Sequence, residues 1–267
     1  MDLSSFPKAA QLAVPGEPAP HWRPGLKSGL KSGLEAGLHS ELFASSDEAS
    51  GAACALALAM DAMRSLAPDR LEEKSVLWVQ DAASRRKAGV PYRSGLPREL
   101  RHRLVHVAAR KVEDALFALE EGMRCRDLAC VIGEVAGNPQ ALGLTASRRL
   151  SLTAEKYGVP LFLIRHDAMR DTSSARMRWQ IASAPSLQSR WNTGAPGQPC
   201  WHAELFRARN HAPGEWILRD DGSSLAAERP GASNAAAQLC AQTVSAACAP
   251  DHGDLADATG AGSLAAL

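Results

Sequence analysis

The sequence predicts an α/β fold: a mainly parallel sheet flanked by helices, with antiparallel strands along one edge. Three observations carry this. Residues 75–80 (SVLWVQ) and 128–135 (LACVIGEV) are continuous β-prone runs, apolar on both faces as strands of a covered parallel sheet are. Such runs alternate with helical patterns, the mark of successive βαβ units. After residue 175 the helices stop, and 176–182, 200–208 and 216–219 read as strands joined by loops.

Taken in order, residues 1–25 are rich in Pro, Ala and Ser without periodicity, which predicts a flexible extension. A Gly-Leu pair then recurs every four residues from Gly25 to Leu38. Helical spacing would align the leucines, but each glycine opposes a helix by about 1 kcal/mol, so the repeat reads as low-complexity sequence that becomes ordered near Leu38. Residues 39–43 form a strand. Residues 49–63 form a helix that is apolar almost all round and therefore buried. Ser46 or Asp47 is expected to cap it, with Glu48 in its first turn. A short strand at 104–107 precedes an amphipathic helix at 111–123, whose Val112, Ala115, Leu116 and Leu119 share one side. A helix at 145–157, stopped by Gly158, leads to a strand at 159–164. Segment 220–267 carries six acids and one arginine, net −5, and reads as a disordered acidic tail. The expected plan is an extension at 1–25, one α/β domain at 26–220 and the tail at 221–267.

The six cysteines form no C-x-x-C pair and the histidines no ligand spacing, so neither metal nor cofactor is expected. The thiols fit buried or incidental positions in a reducing compartment. No leader pattern and no apolar run of about 18 residues is present, which points to a cytoplasmic protein without a membrane span.

The net charge of +1 hides a strong asymmetry. Between Ser84 and Arg110 stand Arg85, Arg86, Lys87, Arg93, Arg98, Arg101, Arg103 and Arg110 against the single acid Glu99, net +7. Such a patch attracts phosphate backbones by releasing counterions. It also suits a solvated face, and Tyr92 alone is too little aromatic surface for a single-strand stacking platform. Arg148 and Arg149 stand together in a helix and read either as solvated charge or as a partner contact. A second basic region, from Arg165 to Arg209, is interleaved with Trp179, Trp191 and Trp201. Alternating strand faces, Trp inward and Arg outward, account for it.

Residues 39–63 have the strand, small-residue loop and helix of a phosphate-binding loop, G-x-x-x-x-G-K-[ST]. In that register Gly51 is the second glycine. Ser46 stands for the first, Ala52 for the lysine and Ala53 for the hydroxyl. The scaffold is kept and the phosphate chemistry deleted. Backbone N–H groups at a helix start still attract anions, but Asp47 and Glu48 oppose them.

The order of these parts resembles the RecA core. The segments LHSELF, VLWVQD, LTASRRLSLTAEKYGVP, SSARMRWQIASAPS and NTGAPGQP resemble the ImuA family of RecA-like accessory proteins in SOS mutagenesis, over roughly residues 25–220. The resemblance implies a RecA-like P-loop domain with degenerate motifs. It also implies work beside ImuB, an inactive Y-family polymerase homologue, and an error-prone C-family DNA polymerase, with RecA as a further partner. Carried over residue by residue, it puts Ala83 where RecA has its catalytic glutamate. Glu134 falls at the Walker B aspartate and Arg165 at the glutamine that senses the γ-phosphate. Phosphoryl transfer needs positioned positive charge, a metal and an oriented water. The resemblance thus implies a non-catalytic adaptor. The charge pattern gives the candidate DNA or partner contacts: Arg85, Arg86, Lys87, Arg93, Arg98, Arg101 and Arg103 in the patch, for which weak, non-specific DNA binding is expected, and Arg148, Arg149 and Arg165 outside it. A SulA-like inhibitor of cell division and a DNA-dependent P-loop ATPase are the alternatives. Without a metal, Glu134 is expected to be a hydrogen-bonded structural acid.

Overall fold

The computed structural model describes residues 38–66, 74–187, 192, 195–209, 212–220, 222 and 225–230. The chain divides after Pro230 into two units, and every described residue belongs to the first. The expected N-terminal extension, most of the Gly-Leu repeat, Trp191 and the segment 231–267 lie outside the described residues.

Nine strands form one sheet in the order β3-β2-β4-β5-β1-β6-β7-β8-β9. They are β1 (His39–Ala44), β2 (Ser75–Gln80), β3 (Leu104–Ala108), β4 (Leu128–Ala136), β5 (Leu161–His166), β6 (Met177–Ser183), β7 (Cys200–Ala208), β8 (Gly214–Asp220) and β9 (Leu225–Glu228). From β3 through β6 every pairing is parallel. From β6 through β9 every pairing is antiparallel. The α/β class and the antiparallel edge are thus as the sequence predicts.

The helices are α1 (Ser50–Leu66), α2 (Ala82–Ala88), α3 (Val112–Arg124) and α4 (Leu144–Tyr157). Alternation along the strands sorts the core into two layers. Val76 and Trp78 of β2 pack with Leu42, Cys54, Met60 and Trp179 in the layer of α1. Leu77 and Val79 pack with Leu116, Leu119 and Leu150 in the layer of α3 and α4. Gly51 is where α1 touches the sheet: a Cβ there would meet the Ala44 Cβ at 2.7 Å and the Ile164 Cγ2 at 3.1 Å. At Gly158 the chain takes φ +69 and closes α4 through N–H donation to the Ala154 carbonyl.

Three features depart from the sequence reading. Neither Ser46 nor Asp47 caps α1, which starts at Ser50 with no acid in its first turn. Ser46 donates instead to Asp167, and Glu48 accepts from the amide and hydroxyl of Ser183. Helix α2 is unexpected from its basic sequence; the Asp81 carboxylate caps it by accepting from the Ser84 amide at 2.7 Å. As in the sequence reading, which places no helix between residues 164 and 176, the crossover from β5 to β6 contains none. It crosses β1 on the α4 side as a loop, where Ser173 and Ser174 bond to Ser147 and Ser151.

The sheet also continues past residue 220, the expected end of the domain. Strand β9 pairs with β8 and buries Leu225 in the α1 layer. Removing residues 221–267 is therefore expected to lower stability by about 2 kcal/mol through lost apolar burial. Removing only 231–267 gives the reference for that loss. Equal midpoints for the two truncated forms would mean that β9 contributes nothing.

The thiols of Cys54, Cys130 and Cys200 are buried and free, and Cys125 is exposed. Burial pushes the Cys130 thiol up to about 12 and the other two upward as well.

Candidate functional site

In open α/β sheets ligands bind beyond the carboxyl ends of the strands, where successive connections leave toward opposite faces. Here that point lies between β1 and β5. Strand β1 feeds α1 on one face, and β5 feeds the crossover on the other. The turn after β1 and the residues that end β2, β4 and β5 surround it.

An acid of the chain itself is bound there. The Asp167 Oδ1 accepts from the Ser46 amide at 2.9 Å and its Oδ2 from the Ser46 hydroxyl at 2.7 Å. Lys87 of α2 reaches over to the same Oδ2 at 2.5 Å. The lysine first, then the two Ser46 donors, hold the Asp167 carboxyl well below the usual carboxylate range. Asp167 adopts φ +50, alone among the described non-glycine residues in the left-handed region, which Asp tolerates better than most. Strained backbone of this kind gathers at functional and switch positions.

Beneath this contact Glu134 is buried and both its oxygens are engaged. Oε1 accepts from the Trp78 indole at 2.6 Å, and Oε2 pairs with the His166 Nε2 at 2.7 Å. Glu134 is therefore hydrogen-bonded through both oxygens, as expected of it. Gly51 is fixed by its packing on Ala44 and Ile164, Ala52 is half-buried and Ala53 exposed. Ala83 is half-buried in α2. None of these three alanines offers a polar side chain. Among the described residues no group of three or more His, Cys, Asp or Glu side chains is placed to hold a metal ion.

The basic residues differ in exposure. Arg86, Lys87, Arg93 and Arg98 are exposed on α2 and the loop after it; Arg85, Arg101 and Arg103 are half-buried. Three of them also staple the loop: Arg93 donates to the Leu104 carbonyl, Arg101 to Leu96 and Arg103 to Glu99. Tyr92 stands among them, 75% exposed. Arg148 and Arg149 are exposed on α4, and Arg149 is paired with Glu120 of α3.

Arg165 must be removed from the candidate contacts. Its side chain is 1% exposed, too buried to meet a partner. It donates to the Gly137 carbonyl at 3.1 Å, lies 3.5 Å from Asp171 and 4.0 Å from Glu41, and stacks over Phe43. Arg178 of β6 shares the network, with its Nε 2.8 Å from the Glu41 Oε2. The Glu41 Oε1 accepts from the Ser173 hydroxyl at 2.6 Å. Sequence reasoning missed Glu41 and Asp167. The available signal for Glu41 was an acid flanked by apolar residues inside a strand, and for Asp167 an acid directly after one.

No protein-family model matches the chain. No curated protein is similar to it at a significant level. Among the described residues no helix is long and apolar enough to cross a membrane.

Proposed function

We propose that the chain is a non-catalytic RecA-like adaptor. It serves translesion DNA synthesis in the manner of the ImuA family, beside ImuB and an error-prone C-family polymerase, with RecA as a further contact. One observation carries the non-catalytic half: the Ser46 amide and hydroxyl, in the turn after β1, are already engaged by the Asp167 carboxylate. A nucleotide with its magnesium does not fit the residues present. The lysine and hydroxyl positions are Ala52 and Ala53, Lys87 is spent on Asp167, and the Glu134 oxygens are taken by Trp78 and His166. The adaptor half rests on the family resemblance. It is supported by a rigid α/β body that spends its central crevice on internal contacts and leaves its charged surfaces to partners.

Two measurements on the full chain test this. Phosphate release from ATP is expected to stay at the level of buffer, and the chain is expected to co-elute with ImuB in size-exclusion chromatography. ATP turnover that disappears in Glu134→Gln would overturn the non-catalytic reading. Co-elution with a cell-division protein and not with ImuB would favour the SulA-like alternative.

The exposed cations of α2 and its loop give the adaptor weak, sequence-independent contact with DNA. Replacing Arg86 and Arg98 with Ala should weaken binding of single-stranded oligonucleotides. It should also reduce the slope of log affinity against log salt by about 0.7 for each phosphate left without its cation. An unchanged slope would take these residues out of the DNA interface.

A further inference from the structure

The contact between Asp167 and the turn after β1 is open to solvent: the Asp167 side chain is 33% exposed and that of Lys87 48%. Three donors from two other parts of the chain converge on it, the amide and hydroxyl of Ser46 and the ammonium of Lys87. The backbone beneath is fixed. The Asp167 N–H donates to the Ala44 carbonyl at 3.0 Å, and the residue holds φ +50. The carboxylate can therefore swing away about its own side-chain bonds while the backbone stays in place. An exposed ion pair contributes little net stability, so such a departure is cheap once another anion takes the donors.

The donors also specify the anion. A carboxylate and a phosphodiester each carry one negative charge shared over two free oxygens. Here one oxygen takes the Ser46 amide, and the other takes the Ser46 hydroxyl and Lys87. Backbone N–H, hydroxyl and lysine donors are those that proteins commonly turn toward nucleic-acid phosphates. Ala52 and Ala53 offer no side-chain donor to the further phosphates of a nucleotide. Lys87 lies in α2 beside the exposed Arg86, so the contact adjoins cations already assigned to DNA.

We propose that Ser46 and Lys87 form a subsite for one phosphodiester of a nucleic-acid backbone, and that Asp167 is the tethered anion it displaces. A carboxylate held this close has a high effective concentration, which a single free anion must overcome. A strand already held at Arg86 and Arg98 delivers its phosphodiester with the same advantage. Asp167 thus makes the subsite selective for extended nucleic acid over isolated anions. This rests on the DNA contact proposed above for α2 and its loop.

Fluorescence anisotropy of a labelled single-stranded oligonucleotide with the full chain tests it. Asp167→Asn is expected to bind at least about tenfold tighter than the wild type, as hydrogen bonds to a charged group allow. Asp167→Gly should act in the same direction, and glycine accepts the φ at this position without strain. Asp47, next to Ser46, is an exposed acid outside the contact. Asp47→Asn removes the same charge without freeing the donors, and should change affinity by less than about threefold because exposed charges are screened. Adding Ser46→Ala to Asp167→Asn should give back at least about threefold, since the Ser46 hydroxyl is uncharged and acts through its hydrogen bond. Equal affinities for Asp167→Asn and Asp47→Asn would overturn the subsite, as would a gain that survives Ser46→Ala. Calorimetry showing a gain for inorganic phosphate, with none for the oligonucleotide, would assign the donors to a free anion and overturn the backbone subsite. Binding by no form of the protein, even at low salt, would overturn the DNA contact itself and the subsite with it.

Discussion

Replacing Glu41 with Gln is expected to destabilise the fold by roughly 3–5 kcal/mol, the cost of breaking a buried ion pair from one side. Glu41 sits in β1 at the centre of the sheet with its carboxylate out of solvent. One oxygen faces the Arg178 Nε and the other takes the Ser173 hydroxyl; Arg165 stands 4.0 Å away. Asp171, the other acid in reach, is 3.5 Å from each guanidinium and partly exposed. Without the Glu41 charge, two buried cations share that one acid. Both also rest on Phe43, which partly compensates through its ring face. Denaturant unfolding measures the effect, and a loss below about 1 kcal/mol would show the network to be energetically idle. A cycle locates the origin of the penalty. If unpaired charge is the cause, Glu41→Met combined with Arg178→Met should lose much less than the two single changes summed.

The same network shows which parts of the molecule could be read from the chain. The central strands were legible because a strand covered on both faces is a local, uninterrupted pattern; Ser75–Gln80 and Cys200–Ala208 fall where the sequence places them. Helix α2 was not, since seven residues rich in Arg carry no apolar stripe and its start depends on one Asp81 cap. Arg165 looked like a surface contact for a related reason. What buries it is Glu41, on the neighbouring strand of the sheet yet far away in sequence. Local pattern gives the position of a strand but not which charges its neighbours bring. The crevice was half legible. The missing lysine and hydroxyl are visible in Gly51-Ala52-Ala53, whereas the acid that engages the turn arrives from β5.

Acid should unfold this protein more readily than a charge count suggests, and His39 is the residue that should carry the effect. Its ring is fully buried at the start of β1, with Nδ1 2.8 Å from the Ser151 hydroxyl and Nε2 without a partner. Burial lowers its pKa from 6.5 to about 4; nearby Glu41 opposes that change, and Arg178 and Arg165 reinforce it. Between those values the unfolded chain binds a proton at this position and the native chain does not. Stability is therefore full above pH 6.5, falls as the pH drops toward 4 and levels off below it. The loss is on the order of 3 kcal/mol, since a tenfold change in proton affinity is equivalent to about 1.4 kcal/mol. His39→Gln keeps a polar group beside Ser151 and cannot take up that proton. It should cost some stability at pH 7, yet its stability curve between pH 6.5 and 4 should be flatter than that of the wild type by close to one proton. Parallel curves for the two proteins across that window would assign the acid sensitivity to other groups and leave His39 with a packing role alone.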